Sequence, residues 1–283
     1  MLIDRFTQGG SGMTETPVVN GHHHIGNENA EQDRTFEWSE SVEDVIGAMD
    51  ENGVDATILQ PLGGENDRSV TEVHDQIYEA SQEYEGRIFG TAAVNPHIGT
   101  EFVHDEIGRC VQELDFKFVK LHTLAWGVDP TSDIAYDVYN ACEENDVPVM
   151  VHTGPHGMPF SVPGMYMPVV EDYPDLPIVF AHMGGAYTLT QEAIFMAERH
   201  DNIYLDTTLV LNMYLRRAME AVGAGRLLMA AEHSSNIPVA LTKVDCIGAS
   251  EEQKAKILGG NAVELYDLDV ENQSFEEQVP ADD

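Results

Sequence analysis

The chain has 283 residues, 42% of them apolar, and a formal net charge of −36, with only five lysines and nine arginines set against 50 acidic residues. That length can build one large core, and that charge repels nucleic acid and anionic membrane, so neither is an expected partner. The acidity suits a high-salt cytoplasm, where a Debye length of ~3 Å at molar ionic strength suppresses repulsion between carboxylates.

Short β-rich runs alternate with amphipathic helical patterns along the chain. The first strand is predicted over 18–25, where "VVNGHHHIG" ends an apolar stretch with three histidines. Strand alternation puts His22 and His24 on one face and His23 on the other. Ser41, with Asp44 three residues on, predicts a capped helix that presents Val42, Val45, Ile46 and Met49 on one face and stops at Gly53. A strand is expected over 56–62. Ser69 and Glu72 then open a second helix carrying Val70, Val73 and Ile77. Strands follow over 88–94, 116–122, 147–152, 178–182, 203–207 and 227–232. The helices between them start near 100 and cover 134–144, 168–173, 189–199 and 211–222, and a helical region over 257–265 closes the series.

Eight strand–helix units with helical crossovers force parallel strands. The expected fold is therefore α/β: a single (β/α)8 TIM barrel with an outer ring of helices, spanning 13–268. A doubly wound open sheet is the competitor, but no GxGxxG follows the first strand. Residues 1–12 read as a polar lead-in, with Met13 as a candidate natural start. The acidic stretch 269–283 reads as a disordered tail. Cys110, Cys142 and Cys246 lack a CxxC and read as buried thiols in a reducing compartment. With no apolar run of ~18 residues and no signal-peptide pattern, the expected location is the cytoplasm. A homo-oligomer stays open.

In such a barrel the active site lies where the strands end. Those ends carry His22 and His24, Lys120 and His122, His152, His182, Asp206, and Glu232 with His233. His74, His104 and His200 fall on helical patterns and read as surface groups. Any one rim histidine is more easily a hydrogen-bonded strand end than a ligand. Five of these imidazoles gathered with a carboxylate at one rim point instead to a divalent metal ion, Zn²⁺ or another first-row metal.

This ordered set resembles the amidohydrolase superfamily, in particular the amidohydrolase-related branch that includes aminocarboxymuconate-semialdehyde and resorcylate decarboxylases. The resemblance runs from "NGHHHIG" through "VKLH", "PVMVHTG", "IVFAHMGG" and "NIYLDTT" to "ILGGNAVELYDL". It implies one divalent metal ion, Zn with Mn or Fe as alternatives, held by His22, His24 and His152. It implies that His182 transfers protons beside the metal-bound water. The family's eighth-strand residue is an aspartate that binds metal and takes a proton. The matching position here is Glu232, one methylene longer. Lys120 is either a cation for an anionic substrate group or an internal ion-pair partner of Asp206 or Glu232. His122 either contacts substrate or supports a neighbour. Asp206 can orient a metal-bound histidine. His233 points away from Glu232 and is set aside.

The first expectation for function is a metal-dependent hydrolase acting on a small ester, lactone or amide through activated water, with Glu232 or His182 moving the proton. The alternatives are a metal-dependent decarboxylase of a small unsaturated or aromatic acid, and a metal-binding barrel without catalysis. A decarboxylase would be expected to hold its substrate's carboxylate with arginine, and Arg216 and Arg217 lie past the rim, which favours hydrolysis. Trp38, Trp126, Met158, Phe160, Met165, Tyr166 and Met167 either form an apolar lid over the substrate or pack the loops onto the rim.

Overall fold

The computed structural model describes residues 16–26, 40–62, 69–154, 159–185 and 187–270. The lead-in at 1–12, Met13, Trp38, Met158 and the tail beyond 270 lie outside these residues. The strands are β1 (Val19–Ile25), β2 (Ala56–Pro61), β3 (Ile88–Ala93), β4 (Phe118–Leu121), β5 (Val149–His152), β6 (Ile178–Ala181), β7 (Ile203–Asp206) and β8 (Leu227–Leu228). They form one eight-stranded sheet in sequential order, every pair parallel. Backbone bonds from Gly21 to Met229 (3.0 Å), from Glu232 to His22 (2.8 Å) and from His24 to Glu232 (3.1 Å) join the last strand's exit to the first. The fold is the expected (β/α)8 barrel.

Helices α1 (Val42–Asn52), α2 (Val70–Glu83), α3 (Thr100–Gln112), α4 (Thr123–Trp126), α5 (Asp133–Glu144), α6 (Met167–Asp172), α7 (Tyr187–Ala197), α8 (Asn212–Val222), α9 (Ile237–Cys246), α10 (Glu251–Ala255) and α11 (Asn261–Tyr266) surround it. Ser41 and Asp44 make the expected capping box, and Gly53 ends α1 in the left-handed conformation that spares a Cβ clash. Ser69 makes no side-chain cap bond to α2. The sequence reading placed no helix over α9, although Ile237, Ala240, Leu241 and Val244 recur at helical spacing. Pro238 sits in its first turn, where a missing N–H costs nothing.

Two apolar layers hold the barrel. One packs the outer strand faces against the helices. The other lies inside, where Val19, Ile58, Phe118, Met150, Val179 and Leu228 meet Tyr266 and Leu268. Phe118 stacks on Tyr266 with ring centroids 4.7 Å apart, so the α11 region packs into the barrel interior beneath the site.

Two irregularities prepare the mouth. The β1–β2 register shifts between Asn20 and His23. Such a bulge re-aims side chains, which lets Val19 point inward below while His22 and His24 point inward above. β8 is shorter than the expected 227–232. Its continuing N–H groups are diverted, Ala230 to Thr207 Oγ1 and Ala231 to Asn20 Oδ1, so ladder pairing ends early.

Candidate metal centre

His22, His24, Lys120, His122, His152, His182, Asp206 and Glu232 are all brought to the C-terminal mouth, and each is at most 9% exposed. The ring centroids of His22 and His24 lie 4.9 Å apart, those of His22 and His182 5.4 Å, and those of His152 and His182 4.9 Å. His122 stacks on His152 at 4.6 Å.

The hydrogen-bond partners fix the tautomers. Asp206 Oδ2 lies 2.7 Å from His22 Nδ1, so His22 donates from Nδ1 and keeps a lone pair on Nε2. The Pro61 carbonyl oxygen lies 3.1 Å from His24 Nδ1 and can only accept, so His24 also carries its lone pair on Nε2. Both rings are neutral. Burial, with Lys120 as the next cause, holds His22 well below its ordinary value and lowers His24 to about 3. The two Nε2 atoms stand 3.1 Å apart. Two lone pairs facing each other at that distance repel. A cation bound to both removes the conflict, and two imidazoles on one tetrahedral ion at ~2.0–2.1 Å would have their nitrogens about 3.3 Å apart.

Glu232 completes a compact trio. One donor atom each from His22, His24 and Glu232 lie within 4.8 Å of one another, a group able to hold a metal ion. Glu232 Oε1 is 3.8 Å from both His24 Nε2 and His182 Nε2. Its Oε2 is buried without a hydrogen-bond partner among the described residues. Burial raises the carboxyl to about 7, with Lys120 opposing and Asp206 adding to the rise. His152 stands beside this trio and is not part of it.

Thr208, which the sequence reading missed, wires in His182. Its backbone N–H and its hydroxyl both donate to Asp206 Oδ1 at 2.5 Å, so its oxygen accepts from His182 Nδ1 at 2.8 Å. His182 therefore also turns a lone pair toward Glu232. His182 and Glu232 have φ of 64° and 68°. Residues with a Cβ adopt that region at a cost, and such positions concentrate at functional sites. His122 accepts the Ala125 N–H on Nδ1 at 3.2 Å, so its Nε2 is a donor. Lys120 Nζ is buried with no hydrogen-bond partner among the described residues. Burial lowers its amine to about 8 against the pull of Asp206 and Glu232.

Several expectations need correction. His74 is fully buried. It accepts from the Ala93 N–H on Nε2 (3.0 Å) and donates from Nδ1 to Glu106 (2.7 Å). With both nitrogens committed, the His74–Glu106–Cys110 group, though compact, is a hydrogen-bonded network. Cys246 is exposed. Tyr166 is buried and donates to the His152 carbonyl at 3.0 Å, and Trp126 is buried, so both pack the rim. Arg216 bonds the Cys246 carbonyl at 3.3 Å. His233 and Glu40, neither assigned a role from sequence, meet outside the barrel at 3.5 Å.

Fold and site together define a TIM barrel with a cluster able to hold a divalent metal ion at the C-terminal ends of its strands. The family model described as Amidohydrolase matches residues 19–268, and the chain belongs to that family. No protein of curated function matches it in sequence. Solved structures do match. One is a variant of 5-carboxyvanillate decarboxylase from Novosphingobium aromaticivorans, with manganese and 3-methoxy-4-hydroxy-5-nitrobenzoic acid bound. It is 18% identical, with a TM-score of 0.72 over 89% of this chain and 97% of that one. The 2,6-dihydroxybenzoate decarboxylase from Rhizobium is 19% identical, with a TM-score of 0.72 over 90% and 99%. A dihydroxybenzoic acid decarboxylase from Polaromonas, with manganese and 2-nitroresorcinol, is 19% identical, with a TM-score of 0.71 over 89% and 97%.

These neighbours overturn the hydrolase expectation, because they are decarboxylases. The lack of an arginine at the rim does not exclude decarboxylation, since the barrel interior holds another cation in Lys120. Among the described residues, no helix is long and apolar enough to cross a membrane.

Proposed function

We propose that the chain is a metal-dependent decarboxylase of a small aromatic or unsaturated acid that carries a hydroxyl near its carboxylate. The observation that carries the metal requirement is the pair of opposed Nε2 lone pairs of His22 and His24, 3.1 Å apart beside Glu232. The choice of chemistry draws on the decarboxylases that share the fold, two of which hold manganese with hydroxylated aromatic ligands. His22, His24, His152 and Glu232 would hold the ion, and manganese is favoured over zinc. When bound, such an ion supplies Lewis-acid polarisation of the substrate's oxygens.

The chain's own groups do the rest. The neutral His122 offers its Nε2–H to a substrate oxygen. Lys120 supplies buried positive charge that offsets Asp206, Glu232 and the incoming carboxylate. As the bond to the carboxylate carbon breaks, the electron pair left on the substrate carbon takes a proton and CO₂ departs. Glu232 and His182, 3.8 Å apart, are the pair that deliver this proton. The His182 Nε2 lone pair then takes a proton from solvent and passes it to the Glu232 carboxylate, 3.8 Å away, which restores the donor. The acidic surface is read as an adaptation to high salt, so assays belong in molar KCl.

The test is CO₂ release by Mn²⁺-loaded protein from a panel of hydroxybenzoates and carboxyvanillate-type acids, run in D₂O. Deuterium should appear at the vacated carbon. Absence of CO₂ from every acid by a protein that demonstrably holds Mn²⁺ would overturn the proposal.

A further inference from the structure

The metal-site reading uses two histidines of the triplet and leaves His23. We propose that Asn20, His23 and Glu40 form a positioning relay on the outside of the barrel. The relay holds Glu232 in its left-handed conformation and so aims its carboxylate at His22 and His24. The proposal rests on the metal reading above.

His23 is fully buried on the face of β1 opposite to His22 and His24. Its proton position follows from its neighbours. Asn20 Oδ1 accepts the Ala231 N–H at 2.8 Å, which turns the amide nitrogen of Asn20 toward His23 Nδ1, 3.1 Å away. His23 Nδ1 must accept, so the ring proton is on Nε2. Nε2 donates to Glu40 Oε2 at 3.1 Å. The same oxygen accepts the Ser234 N–H at 3.0 Å and lies 3.5 Å from His233 Nε2. Glu40 is itself placed by the capping box of Ser41 and Asp44 at the start of α1.

The chain around Glu232 is thus tied to β1 at three points and to Glu40 at a fourth. Ala231 is held by Asn20 and Ser234 by Glu40. Glu232 donates its N–H to the His22 carbonyl and accepts the His24 N–H. The two backbone bonds bring the strand ends together. The two side-chain ties fix the residues on either side of Glu232, whose φ of 68° a Cβ makes costly. Without those ties, the segment can relax toward an extended conformation that turns the carboxylate out of the barrel.

The test is Mn²⁺ binding to metal-free protein, measured by calorimetry, with thermal unfolding of the metal-free form alongside. Glu40→Ala should weaken Mn²⁺ affinity by about tenfold to a hundredfold, the loss typical when an outer partner of a ligand is removed. The isosteric Glu40→Gln keeps the one oxygen that accepts from both His23 and Ser234, so it should fold even if Glu40→Ala does not, and should hold Mn²⁺ within about twofold of wild type. In a Glu232→Ala background the Glu40 substitution should cost less than about twofold, because the route it acts through is gone. A loss below twofold for Glu40→Ala in the otherwise wild-type protein, an equal loss in both backgrounds, or a loss of tenfold or more for Glu40→Gln would overturn the relay while leaving the metal reading intact. A wild-type protein that binds no Mn²⁺ would overturn both.

Discussion

Replacing Asp206 by asparagine tests how the metal site is wired. The Asp206 carboxylate accepts from His22 Nδ1 at 2.7 Å and from the backbone N–H and hydroxyl of Thr208 at 2.5 Å each. The Thr208 N–H cannot turn away, so the new amide oxygen must stay on that side. The amide nitrogen then faces His22. Two donors cannot share that contact, and His22 is driven to its other tautomer, with its proton on Nε2. That proton points at the His24 Nε2 lone pair, 3.1 Å away, and converts a repulsive pair into a hydrogen bond. The metal-free protein therefore keeps its stability while one ligand is blocked. His182 keeps its support through Thr208, so the effect is confined to one ring. The expected loss is tenfold to a hundredfold in Mn²⁺ affinity, or about 1.4–2.7 kcal/mol. Titration calorimetry of the metal-free protein measures the affinity, and denaturant unfolding measures the stability. Affinity within twofold of wild type would refute the assignment of the lone pairs.

Three further outcomes follow from the same geometry. Burial pushes Glu106 up, but hydrogen bonds from His74 and Arg109 outweigh it and bring the carboxyl from 4.5 down to about 2. A depressed folded value stabilises above the unfolded one and is lost as pH falls, so Glu106→Gln should cost about 2 kcal/mol near neutrality and remove the stability lost between pH 4.5 and 2; urea midpoints against pH that run parallel to wild type would contradict this. Glu232→Gly should be more stable than Glu232→Ala by about 1 kcal/mol, since both lack the carboxylate and only glycine is at ease at positive φ, and equal or reversed midpoints would remove the argument for strain there. The charge of −36 predicts an unfolding temperature that climbs by several degrees from 0.1 to 2 M KCl, and a flat or falling trend would exclude a salt-adapted surface.

The barrel was legible because its signals are periodic and local. Eight β-rich runs, each followed by an amphipathic stretch, leave few topologies, and the capping box at Ser41 marks a helix start within a residue. The site was legible because barrel strands end at one mouth, so rim residues far apart in sequence are neighbours by construction. What escaped was whatever depends on another element's surface. His74 lies four residues after Val70, on the apolar face of α2, so the helical pattern already placed it inside. Its imidazole read as surface because its partners, Glu106 and the Ala93 N–H, belong to other elements. Glu40 stands in a loop with no period to read. Thr208 was one hydroxyl beyond Asp206 in "NIYLDTT" and could have been inferred from the need to support His182. The chemistry was the least legible of all, because a hydrolase and a decarboxylase can share the same ligands and differ in what the loops hold above them.

The triplet shows how one short strand serves two purposes. One ring on each face meets a carboxylate: Glu40 for His23 outside and Asp206 for His22 inside. In both cases the carboxylate accepts a proton from one ring nitrogen and leaves the other as a lone pair. On the outer face that lone pair meets the amide N–H of Asn20, a donor supplied by the chain, and the contact is closed. On the inner face the lone pair of His22 meets another lone pair, on His24, and no described residue supplies a donor between them. The same imidazole chemistry therefore makes a tie on one side and a demand for a cation on the other. The difference lies in the second partner. The Pro61 carbonyl, an acceptor that no tautomer can satisfy from Nε2, commits His24 to face His22 with its lone pair. A strand with a donor at that place would have built a second tie, and no metal centre.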